Sequence, residues 1–140
     1  MSQRIATIVL GIAVAGISIA RSVPLQAHHA FAAEFDARKQ VTLKGAVTRV
    51  EWVNPHVWIH VDVQKPDGKV ESWAIEAGTP NVLFRRGVTK QSLKSGTEVV
   101  IDGYQAKDGS HRANGREVKL ADGSKLFLGG SGSGAPYEIK

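Results

Sequence analysis

VTLKGAVTRVEWVNPHVWIHVDV, residues 41–63, is the stretch on which the fold turns. Its first half alternates apolar and polar positions through Val41, Leu43, Gly45 and Val47, then slips phase to Val50 and Trp52. Strict alternation marks a half-buried strand, and a phase slip beside a glycine marks a bulge and a bend. Asn54-Pro55 breaks the strand. A second strand then places Val57, Ile59, Val61 and Val63 on one face and His56, Trp58, His60 and Asp62 on the other.

Working outward, Pro66-Asp67-Gly68 forms a hairpin turn into a third strand, VESWAIEA. A compact helix signature follows: Thr79 as N-cap, Pro80 at the first helical position, and Gly87 as the stop. TEVVIDGYQA reads as a fourth strand and KDGSHRANG as a loop. REVKL is a fifth strand, turned back into KLFL by Ala121 to Ser124. Upstream, Ala30 to Asp36 reads as a helical turn, with Phe31 and Phe35 tethering it to the body.

The order strand, strand, strand, helix, strand, strand is that of an OB-fold, a small β-barrel whose first strand is long and bent. The expected class is therefore mainly β, an OB-like barrel with one short helix between strands three and four. An immunoglobulin-like sandwich is the runner-up.

Residues Ile5 to Ala20 form an uncharged apolar run behind Arg4. This is signal-peptide length, shorter than the roughly 20 residues of a membrane-spanning helix. Cleavage after Ala27 fits the small-residue rule; cleavage after Ala20 competes with it, and an uncleaved anchor is the third option. The expected division is a signal peptide over 1–27, one domain over 28–128 and a flexible Gly/Ser-rich tail over 129–140. Once the leader is removed no stable membrane span is expected, and the expected location is periplasmic or secreted.

The expected mature chain carries sixteen basic and thirteen acidic residues, +3 in all. Its Arg and Lys residues are scattered without aromatic interleaving, which argues against a nucleic-acid partner. The chain has no cysteine, so it has no disulfide, thiolate metal site or cysteine nucleophile. There is no G-x-S-x-G elbow and no glycine-rich phosphate loop after a strand, and the acids fall in turns or at outward strand positions. No catalytic constellation is visible, and a non-enzymatic protein is expected.

The histidines are the chemistry-bearing residues. Cleavage after Ala27 would give His28 a free amine beside its imidazole, two nitrogen ligands from one residue. Nitrogen-rich, flat coordination suits copper(II). His29, His56 and His111 are candidate partners: His56 lies between strands one and two, and His111 between strands four and five. Those loops flank the binding face of an OB-fold. His56 and His60 stand four residues apart, about 13 Å in a regular strand, too far to share an ion. Against these stand plainer readings: a solvated terminus for the His28-His29 pair, packing for Trp58, packing or a surface position for His60, and solvation for His111. An outward face of Trp58, His60 and Arg112 offers the alternative function, docking a periplasmic protein or small ligand.

Taken together, AHHAFAAEFD, VEWVNPHVWIHVDV, WAIEAGTPNVLFRRG and VVIDGYQAKDGSHRANGREVKLADGSKLF resemble a bacterial family of small exported proteins, the domain of unknown function 6152. The resemblance implies an exported single domain of a Gram-negative bacterium. It carries no site residues with it.

Overall fold

The computed structural model describes residues 28–129 and 135–137, with the backbone alone for 28–30. The leader expected over 1–27, and the side chains of His28 and His29, lie outside the described residues. Among the described residues, eight elements follow in chain order: α1 (His28–Glu34), β1 (Phe35–Glu51), β2 (Trp58–Gln64), β3 (Val70–Glu76), α2 (Pro80–Arg85), β4 (Glu98–Ala106), β5 (Arg112–Leu120) and β6 (Lys125–Phe127). Among the described residues no helix is long and apolar enough to cross a membrane.

The protein is mainly β. Six strands form one sheet in the order β3-β2-β1-β4-β5-β6, and neighbours in that order are antiparallel. One further pairing is parallel: β3 meets β5 through Ala74↔Arg112, Ile75↔Ala113 and Glu76↔Asn114. All six strands share one sheet, whereas the immunoglobulin-like alternative requires two facing sheets.

The phase slip in β1 has a direct structural counterpart. Val47 pairs with Val61 and Arg49 with His60, so Thr48 is an extra residue in the ladder. Gly45 lies just before it, where β2 crosses closely: a Cβ at this position would stand 2.2 Å from the Asp62 carbonyl oxygen. Val57, Ile59, Val61 and Val63 are buried, and each such side chain contributes about 1.5–3 kcal/mol. They join Leu83, Ile75, Ile101, Val118 and Leu128 in the main core.

The α2 cap matches its chemistry. Thr79 Oγ1 accepts the Val82 N–H at 3.3 Å, and Gly87 takes φ +82°, a conformation costly for any residue with a Cβ.

Two boundaries differ from the sequence reading. β1 starts at Phe35 instead of Val41: the polar stretch 36–40 continues β1 alongside β4, with a register shift between Phe35 and Gln40. Phe35 accordingly leaves the helix, yet it still packs with Phe31, ring centroids 5.8 Å apart. β5 starts at Arg112, so the RANG expected in a loop is strand. Ala113, Asn114 and Gly115 are buried there, and the small side chains let three strands approach. Gly103 of β4 shows how close: a Cβ on it would meet the Asn114 carbonyl at 2.3 Å.

A second apolar cluster of Phe31, Phe35, Tyr104, Ala106 and Ala135 anchors α1. Within the Gly/Ser-rich C-terminal segment, Ala135 is buried, and the Tyr137 hydroxyl donates to Asn114 Oδ1 at 2.7 Å.

Candidate functional site

Strand register sorts the outward side chains of β2, β3 and β5 into rows, because paired residues share a face. Ile59, Ile75 and Ala113 form the buried row. On the other face, Trp58, Glu76 and Asn114 make one row, and His60, Ala74 and Arg112 make the next.

This geometry sets Arg112 diagonally from Trp58, and its guanidinium stands 5.4 Å from the ring centroid. A cation over an indole face is worth about 0.5–1 kcal/mol at an exposed site. The same guanidinium binds the Glu34 carboxylate at 2.8 Å, which ties the last residue of α1 to this face. Both partners are substantially exposed, so the pair itself adds little stability.

Glu76 is the unusual member of the face. It is a buried carboxylate with 8% of its surface exposed, and its side chain meets His56 Nδ1. Burial pushes the carboxyl above its ordinary value, and the neighbouring His56 opposes that shift. The backbone explains the pairing. Val57 N–H donates to Gly78 C=O at 3.1 Å and Ala77 N–H to Val57 C=O at 2.8 Å, which pins the start of β2 against the end of β3. His56 is partly exposed, and its Nε2 makes no hydrogen bond among the described residues. With Glu76 ionised and the imidazole neutral, Nδ1 holds the proton and Nε2 keeps its lone pair, the arrangement that prepares an imidazole to ligate a metal.

His111 stands elsewhere. Its ring stacks on Trp73, centroids 4.9 Å apart, and its Nε2 lies 3.9 Å from Glu71 Oε1. His56 and His111 thus have separate partners. Among the described residues, no group of three or more His, Asp or Glu side chains is placed to hold a metal ion.

Of the expected docking face, Trp58 and Arg112 come together. His60 turns to β1 instead, 3.2 Å from Glu51 and 3.3 Å from Arg49. His60 and His111 both line a cleft of about 270 Å³ with Arg49, Asp62, Ser72 and Trp73. Glu34, Glu71 and Glu76 escaped the sequence reading. Alternation does place Glu76 opposite Ile75, but no local pattern announces that it is covered.

No curated protein and no solved structure matches the chain. A family model, described as a family of unknown function, matches residues 17–115, a span that holds every candidate residue above. The chain belongs to that family, DUF6152.

Proposed function

We propose that this is an exported, non-enzymatic periplasmic binding protein whose ligand is copper(II). In this reading the amine and imidazole of His28 supply two nitrogen ligands and Nε2 of the partly exposed His56 a third. One observation carries the proposal: His56 is held through Nδ1 by a buried carboxylate, which fixes the ring and leaves Nε2 available. The helix that begins at His28 is tied to the same face through Glu34 and Arg112. Imidazole and amine donors without thiolate suit copper(II) over softer-ligand metals. His29 and His111 remain further candidate ligands.

The fold part of the proposal is an OB-like barrel. Its support is the ring of pairings β1–β2–β3–β5–β4–β1, in which the parallel contact of β3 with β5 joins the two halves of the sheet. In such a barrel the loops that carry His56 and His111 flank one binding face.

The test compares protein beginning at His28 with protein bearing one extra residue before it. The native terminus should bind one copper(II) with a nitrogen-dominated paramagnetic resonance spectrum, and the extended terminus should bind at least about tenfold more weakly. His56→Ala should weaken binding by a similar factor in the native-terminus protein. Equal affinity in all three proteins sinks the copper reading.

The second reading is an interaction module, favoured by the Arg112 guanidinium over the half-exposed Trp58 ring. Aromatic and arginine side chains dominate binding hot spots. Its mark would be a purified partner that quenches Trp58 fluorescence and loses affinity with Arg112→Ala.

A further inference from the structure

A cleft of about 770 Å³ lies away from every residue discussed above as a candidate ligand. The ends of β2 and β5 flank the bend of β1 and the start of β4 there. Its walls are ordered by register. Lys44 and Lys119 both pair with Val100, one from each side, so two ammonium groups flank one valine. Two residues along β1, Asp62 and Glu98 both pair with Ala46, so two carboxylates flank one alanine. A row of positive charge therefore runs beside a row of negative charge, with Val100 and Ala46 as the apolar floor between them.

Cations nearby have carboxylate partners, Arg116 with Asp102 at 3.8 Å and Lys125 with Glu117 at 3.1 Å, and Lys65, which lines the cleft itself, pairs with Glu71 at 3.8 Å. Lys44, Lys119 and Glu98 have no ion-pair partner among the described residues. Among the described residues Asp62 accepts only the Ser72 hydroxyl, at 2.6 Å on Oδ1. Of the charges that line the cleft, Lys65 is thus paired with Glu71, while Lys44, Lys119 and Glu98 are without an ion-pair partner among the described residues.

We propose that this cleft binds a small zwitterion of dipeptide size, its carboxylate between Lys44 and Lys119 and its ammonium between Asp62 and Glu98. The spacing fits. Two residues along a strand advance about 6.7 Å, and an extended dipeptide spans at most about 7 Å. A cleft of this volume is in the usual range for small-molecule sites, and the apolar floor accommodates an aliphatic side chain. The site shares no residue with the copper proposal, so either can fail alone.

The test is a titration of isotope-labelled protein with leucyl-alanine up to about 10 mM, followed by amide chemical shifts. Saturable shifts centred on Ala46 and Val100 are expected. Blocking either end of the peptide, by N-acetylation or C-amidation, should weaken binding at least fivefold, as should the double variant Lys44→Ala, Lys119→Ala. Glu98→Gln is an independent single change at an exposed position and should weaken the free peptide while leaving the N-acetylated one unchanged. Absence of shifts overturns the proposal. So does an acetylated peptide that binds as well as the free one, which would make this a simple anion site, or an amidated peptide that does so, which would make it a cation site.

Discussion

His111 lies nearly flat on Trp73, with ring planes 20° apart. The indole beneath it is 5% exposed, and its Nε1–H donates to Glu71 Oε2 at 3.1 Å. A histidine in a Gly/Ser-rich loop is therefore seated on an aromatic platform at the edge of the core. His111→Ala should cost about 0.5–1.5 kcal/mol and red-shift tryptophan emission as Trp73 gains solvent. Trp73→Ala should cost about 3–5 kcal/mol. Chemical denaturation of both variants checks the pair, and an unchanged emission maximum in His111→Ala would mean that the stack does not persist in solution.

Two glycines crowded by backbone atoms make a stronger claim about strand spacing. Gly45→Ala and Gly103→Ala each drive a Cβ into a backbone carbonyl, of Asp62 and Asn114 respectively. Backbone atoms cannot swing aside as a flexible side chain can, so each change should destabilise by about 1–3 kcal/mol or more. Thermal melts decide it. Wild-type stability in either variant would show that the strands do not pass this closely.

Removing one partner of the His56–Glu76 pair should cost more than removing both. His56→Ala leaves a buried carboxylate without its partner, at about 1–3 kcal/mol. Replacing both residues, as in His56→Ala with Glu76→Leu, removes the charge as well and should recover part of that loss. A double-mutant cycle by urea denaturation reads the coupling directly, and strictly additive losses would show that the two side chains do not interact.

The turn at Asp122 sets a pH dependence of known sign. Asp122 Oδ1 accepts the Ser124 hydroxyl at 2.6 Å and the Ser124 N–H at 2.8 Å, and these bonds, the hydroxyl first, hold its carboxyl below the ordinary value of 3.8. A carboxyl lowered in the folded state stabilises the fold above its unfolded value, and that contribution is lost as pH falls through the folded value. Ser124→Ala should move the Asp122 titration upward toward 3.8, as seen by side-chain carboxyl shifts. An unmoved titration would place the cause elsewhere.

What the sequence determined by itself was local and periodic. The alternation from Val57 to Val63 specified which face is buried, because side chains in a strand reverse direction at every residue. The slip between Val47 and Val50 specified an extra residue, realised at Thr48, and the Thr79, Pro80 and Gly87 set specified a short capped helix. Each of these depends on neighbours within a few positions. Only the tertiary structure decided the rest. RANG has the composition of a loop, yet it is strand because β3 and β4 both pair with it, and small residues are what that close passage admits. Residues 36–39 lie within β1 between the pairs Phe35↔Ala106 and Gln40↔Tyr104, where the register shifts and no apolar alternation marks them as strand. Glu76 is covered and joined to a histidine twenty positions away. Burial of a charged side chain depends on what packs over it, and the residues that do so come from distant parts of the chain.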